Sequence, residues 1–132
     1  MFLKINCDGG ARGNPGPSAT GYVIKNEKGE IVFSEGKCIG EATNNQAEYK
    51  AVVFAMEKAK ELGGTELEFN LDSELVVKQL KGEYKVKNQE LAQQFLKIYN
   101  MQGHFQKVTY RHVYREQNKE ADALVNQALD KK

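Results

Sequence analysis

The sequence predicts an α/β domain in which a mixed sheet carries helices on its faces, and three observations lead there. Runs of period two stand near the start, middle and end of the chain. Runs of period 3.6 lie between and after them, and one long helix joins two strands, which favours their parallel pairing. At 132 residues with 40% apolar content, the chain has the size of a single domain, residues 1–132, with one packed core.

The elements follow in order. FLKINC, residues 2–7, alternates Leu3, Ile5 and Cys7 against Lys4 and Asn6 and reads as a strand. TGYVIKN and EIVFSEG read as two further strands about the turn NEKG, giving three successive antiparallel strands. TNNQAEYKAVVFAMEKAKELGG switches to helical period, with Thr43 and Gln46 spaced as a capping box and Gly63 and Gly64 at its close. ELEFNLD is a strand, SELVVKQLKG a short helix, NQELAQQFLKIYNMQ a longer one, KVTYRHV a strand and NKEADALVNQAL a terminal helix. No internal repeat, linker or low-complexity segment interrupts the pattern, and KGEYKVKN is a short connection between two helices.

Composition narrows the function classes. Lys and Arg number 19 against 18 for Asp and Glu, so a nucleic-acid partner must be held by a local patch rather than by a broadly basic surface. No stretch approaches the roughly 20 apolar residues of a membrane span, and no membrane partner is expected. Cys7 and Cys38 lack metal-ligand spacing. A cytoplasmic location is expected, with both thiols reduced and serving as small core residues and no zinc site.

Four acids stand in unusual places. On the long helix Ala51, Val52, Ala55, Met56, Ala59 and Leu62 form one stripe, and Glu48 projects near its middle, where an apolar side chain would be expected. Asp8 closes the first strand on the face of Lys4 and Asn6, and Asp72 closes ELEFNLD on the face of Glu68 and Asn70. If those strands are parallel neighbours, their carboxyl ends form the crevice where open α/β sheets bind ligands. Asp72 or Ser73 also suits the N-cap of the helix that follows. Asp122 borders the stripe Ala121, Leu124, Val125, Ala128, Leu129 of the last helix. Carboxylates crowded at one crevice raise one another's pKa, and a cation relieves the cost. Oxygen ligands without a Cys or His cluster select a hard ion such as Mg²⁺, which suggests phosphodiester cleavage.

Taken together, DGGARGNPGPSA, TNNQAEYKA, LDSELVV and REQNKEADALVNQAL follow in the order and spacing of the type 1 ribonucleases H. The chain resembles that family, in a short form, over essentially its whole length. The resemblance implies a ribonuclease H-like fold, a five-stranded mixed sheet flanked by helices on both faces. It implies a metal-dependent endoribonuclease that hydrolyses the RNA strand of RNA–DNA hybrids by a two-metal mechanism, with Mg²⁺ or Mn²⁺ as cofactor and two ions when substrate is bound. It assigns Asp8, Glu48, Asp72 and Asp122 to both catalysis and metal binding. Gly9 and Gly10 let backbone approach a strand. Asn14, Thr43, Asn44 and Asn45 match positions facing the hybrid's minor groove, where short polar side chains suit the 2′-hydroxyl. For Thr43 and Asn44, helix capping is an equal alternative, and the two roles can coexist. A monomer is expected.

The chain departs from the family in two places. Many members carry a longer loop with a histidine after the last strand, whereas this chain runs RHVYREQNKEAD. His112 reads as a strand residue with a structural role, and Arg115 stands nearer the missing histidine's place. The family's basic, Trp-containing protrusion is reduced to KGEYKVKN, so affinity for a hybrid falls to Lys78, Lys81, Lys85, Lys87, Arg111 and Arg115. These losses and the near-neutral charge leave a non-catalytic nucleic-acid-binding homologue as the alternative. A related 3′–5′ exonuclease usually has a second acid two residues after the first, where this chain has Gly10.

Overall fold

A computed structural model describes residues 1–131. The elements run β1 (Phe2–Ala11), β2 (Gly16–Lys25), β3 (Ile31–Ala42), α1 (Asn44–Glu61), β4 (Glu66–Leu71), α2 (Glu74–Leu80), α3 (Gln89–Gln102), β5 (Lys107–His112), a 3₁₀ turn (Arg115–Asn118) and α4 (Lys119–Asp130). The strands form one five-stranded sheet in the order β3-β2-β1-β4-β5. β1, β2 and β3 pair antiparallel, whereas β4 lies parallel to β1 and β5 parallel to β4.

The expected elements are present, and the strands are longer than periodicity alone predicts. Asp8 does not close β1: the strand runs on to Ala11 because Asp8, Gly9, Gly10 and Ala11 continue to pair with Gly21, Thr20, Ala19 and Ser18 of β2. Pairing with β4 stops one residue before Asp8, at Cys7 and Leu71. Much of the glycine- and proline-rich stretch is therefore strand, and the reversal is confined to residues 12–15, closed by the Arg12 N–H donating to the Pro17 carbonyl at 2.8 Å. β3 likewise extends past Gly36 to Ala42 along β2. Between β2 and β3 the Asn26 side chain accepts from the Lys28 and Glu30 N–H groups, each at 3.0 Å, as an Asx-type turn does.

Helices cover both faces. On one, α1, α2 and α3 bury Leu3, Ile5, Cys7, Phe69 and Leu71 of the sheet beneath Val52, Met56, Val76 and Ile98. Each fully buried aliphatic side chain contributes about 2 kcal/mol, which offsets the cost of a carboxylate in the same stripe. The Tyr49 hydroxyl, at the foot of this core, bonds Gln79 Oε1 at 2.6 Å and ties α1 to α2. On the other face α4 packs with Val125 and Leu129 on Ala19, so closely that a Cβ at Gly21 would meet the Ala121 carbonyl. Cys7 is buried as expected. Cys38 is exposed, because β3 is an edge strand and places its thiol 3.0 Å from the Ala128 carbonyl instead of in the core. No described helix is long and apolar enough to cross a membrane.

Candidate active site

Each acid reaches the crevice by a different route. Asp8 stands on β1 at the point where the strand keeps β2 but loses β4, so no neighbouring strand covers its β4 side. Asp72 is the first residue beyond β4, and Ser73 rather than Asp72 caps α2, its hydroxyl accepting from the Val76 N–H at 3.3 Å. That leaves the Asp72 carboxylate free to face Asp8.

Glu48 lies one turn into α1, whose start is set by the capping box. The Thr43 hydroxyl accepts from the Gln46 N–H at 3.2 Å, and Gln46 Oε1 accepts from the Thr43 N–H at 2.8 Å. Glu48 is only 5% exposed; its Oε1 accepts from the Gly9 N–H at 2.8 Å, and its Oε2 has no partner. One carboxylate oxygen each from Asp8, Glu48 and Asp72 lie within 4.8 Å of one another.

Asp122, in the first turn of α4, lines the same crevice close enough to raise the Asp8 carboxyl, although it is not one of the three acids whose oxygens mutually meet; its carboxylate lies 3.8 Å from the Arg115 guanidinium and accepts from Asn126 Nδ2 at 3.4 Å. Of the expected substrate contacts, Gly9, Gly10, Asn44, Asn45 and Arg115 line the crevice. Asn14 and Thr43 lie outside it: Asn14 Oδ1 accepts from the Asn44 N–H at 3.0 Å, and Thr43 is engaged in its cap. His112 ends β5 with Nδ1 4.0 Å from Glu74, in keeping with a structural role, and Arg111 lines a different cleft.

One residue of this neighbourhood is invisible to sequence patterning. Asn118 is 1% exposed; its Nδ2 donates to the Cys7 carbonyl at 2.8 Å, and its Oδ1 accepts from Asn6 at 3.0 Å. It thereby ties β1, next to Asp8, to the start of α4. The only sequence signal is a polar residue before a helix, which reads as a cap, yet Asn118 makes no side-chain cap bond.

Burial dominates the electrostatics. It pushes the Asp8 carboxyl up to about 7, with the Asp72 and Asp122 charges adding and the neighbouring Glu48 carboxyl opposing. Glu48 is raised well above the carboxylate range by burial and then by Asp8, against the Gly9 N–H. Asp72 is raised by burial, with Asn118 and Arg115 opposing. Between about pH 4 and 7 the native site therefore keeps a proton that the unfolded chain has released. The native state binds more protons in that window, so stability falls as pH rises. Metal-free protein should lose roughly 3–4 kcal/mol from Asp8 between pH 4 and 8, read by urea unfolding. Asp8→Asn should flatten that slope; parallel wild-type and variant profiles would contradict it.

An unpartnered buried Glu48 oxygen among crowded carboxylates, with oxygen as the only donor type, fits a hard divalent cation. The sheet order and the acids gathered where its antiparallel and parallel halves meet define an α/β domain of the ribonuclease H-like class. The family model described as "Reverse transcriptase-like" matches residues 6–128. Ribonuclease HI of Halobacterium salinarum is 43% identical over 93% of this chain and 62% of its own length. The RNase H1 crystal structure from that organism superposes with a TM-score of 0.97 at 40% identity, covering all of both chains. LC11-RNase H1, isolated from compost by a metagenomic approach and crystallised with an RNA/DNA hybrid, matches at 43% identity and TM-score 0.94 over 98% of this chain and 97% of its own. A bifunctional protein of Mycobacterium tuberculosis is 40% identical over 98% of this chain, which spans only 36% of that protein's length. This chain belongs to the type 1 ribonuclease H family.

Proposed function

We propose that this chain is a metal-dependent endoribonuclease that hydrolyses the RNA strand of RNA–DNA hybrids. The observation that carries the reading is the triad of Asp8, Glu48 and Asp72 oxygens within 4.8 Å, with Glu48 Oε2 unpartnered. The hybrid held by LC11-RNase H1 supports the substrate class. Asp8, Glu48, Asp72 and Asp122 would hold Mg²⁺ or Mn²⁺, two ions with substrate bound, which supply Lewis acidity and activate water for in-line attack.

The chain's own residues do the rest. The Gly9 N–H orients Glu48, and Asn118 holds the Cys7 carbonyl, the residue before Asp8. Gly9 and Gly10 present bare backbone at the crevice wall, so a strand's sugar and phosphate can come close. Asn44 and Asn45 offer amides that can both donate to and accept from a 2′-hydroxyl. Arg115, largely exposed at the rim, is placed to leave Asp122 for a phosphate oxygen. The same reading has the chain act as a monomer in the cytoplasm.

The test is a labelled RNA–DNA hybrid incubated with Mn²⁺. Cleavage of the RNA strand by wild type but not by Asp72→Asn is expected; no cleavage, or equal cleavage by the variant, would overturn the enzyme. Thermal stabilisation by Mn²⁺ that disappears in Glu48→Gln would show that the ion sits at this site.

A further inference from the structure

The acidic crevice does not end at its carboxylates but continues as a groove between β1 and α4. Period two puts Asp8, Gly10 and Arg12 on the sheet face that α4 covers, and helical period puts Asp122, Asn126 and Asp130 along one side of α4. At one end of the groove stand the acids, with the Arg115 guanidinium 3.8 Å from Asp122. At the other end the Arg12 guanidinium donates across it to Asp130 Oδ1 at 2.6 Å. Two separate lengths set the distance between these ends. The extended chain from Asp8 to Arg12 covers about 13 Å, and the helix from Asp122 to Asp130 about 12 Å. Arg12 and Arg115 are the cations among the described residues that line the crevice.

The backbone at Arg12 is fixed while its side chain is not. The Arg12 N–H donates to the Pro17 carbonyl at 2.8 Å, and the preceding Ala11 N–H donates to Asn44 Oδ1 at 2.9 Å, so the turn is fastened to both β2 and the start of α1. The guanidinium, by contrast, meets a single carboxylate oxygen, and the two side chains are 49% and 66% exposed. An exposed pair of this kind contributes little to stability, and a phosphate oxygen satisfies the same donors as well as a carboxylate does. Asp130 also sits in the last turn of α4, where the helix's own carbonyl ends disfavour an acid. The helix therefore gains nothing from this carboxylate.

We propose that Arg12 binds a backbone phosphate of the hybrid and that Asp130 competes with this phosphate for the guanidinium. A strand whose scissile phosphate lies at the acids, and which continues along the groove past Gly10, brings another of its phosphates to Arg12. At about 12 Å from the carboxylates, that phosphate is not the one attacked. Arg12 thus supplies affinity and register rather than bond cleavage.

The substrate is that of the proposed hydrolysis, on which this assignment rests, and binding is therefore read apart from cleavage. The test titrates the Asp72→Asn chain with a fluorescently labelled RNA–DNA hybrid at fixed Mn²⁺ over a KCl series. Adding Arg12→Ala should weaken binding by about three- to tenfold and make the slope of log affinity against log salt shallower by about one, as the loss of one phosphate contact requires. Arg12→Lys should restore the slope. Asp130→Asn should tighten binding, by about twofold or more, because it removes the competitor. A pair that serves only to fasten α4 to the turn makes the opposite forecast, since both variants would then lose stability in urea and shift affinity in the same direction. That pattern, an unchanged affinity or salt slope in Arg12→Ala, or no binding by the Asp72→Asn parent would overturn the assignment. With Asp72 restored, the Arg12→Ala loss should fall on KM and not on kcat, and the reverse would also overturn it. A wild type that binds the hybrid with these differences but does not cleave it would sink the nuclease reading and leave Arg12 in its role.

Discussion

Asp8→Asn is expected to reduce hybrid cleavage by roughly a thousandfold or more, about 4 kcal/mol of transition-state stabilisation. Asp8 is the central member of the triad: Glu48, Asp72 and Asp122 all act on its carboxyl, and it stands where β1 has lost its parallel neighbour. An amide keeps the shape and one acceptor oxygen but removes the charge that a hard cation requires. The same substitution should make the metal-free protein more stable at neutral pH, since it removes a carboxylate whose ionisation is opposed by burial. Loss of activity together with gain of stability separates a site residue from a structural one, because a structural acid would lose both. Cleavage assays and urea unfolding on one preparation decide it, and a variant that retains most of its activity would remove Asp8 from the mechanism.

Gly9→Ala should be the most damaging single methyl group in the chain. A Cβ at this position would fall inside the backbone of Ala47 and 2.5 Å from the Glu48 nitrogen, and neither can move without shifting the first turns of α1. The cost is expected to exceed the 1–3 kcal/mol typical of overpacking, because backbone rather than a flexible side chain is struck. Relief by moving α1 outward would break the 2.8 Å bond from the Gly9 N–H to Glu48 and pull that carboxylate from the triad. Thermal denaturation should therefore show a large loss, and any folded remainder should cleave poorly. Gly10→Ala is the control: its Cβ would meet only the Val125 side chain at 3.5 Å, an ordinary contact, and should be tolerated by the fold. Equal behaviour of the two variants would refute this account of how α1 is seated on β1.

Much of this protein is legible in its residues because each regular element declares itself locally. The Thr43 and Gln46 box starts α1, Ser73 and Asn88 begin α2 and α3, and period-two patterning marks β1, β4 and β5. The acid in the apolar stripe of α1 was visible for the same reason, since a helix face is defined by the residue's own neighbours in sequence. Strand lengths were not: DGGA reads as a turn until β2 is laid beside it, and pairing then overrides the propensity of glycine.

By itself, then, the order of residues determined which segments are helix or strand and which acids are out of place, because backbone and side-chain periodicity are properties of short windows. Only the tertiary structure decided that Asp8, Glu48 and Asp72 meet, that Asp122 lies beside both Asp8 and Arg115, and that Asn118 fastens the start of α4 to β1. Those facts are distances between residues far apart in the chain, fixed by sheet register and by how closely α1 and α4 settle on β1 and β2, and no local window contains them.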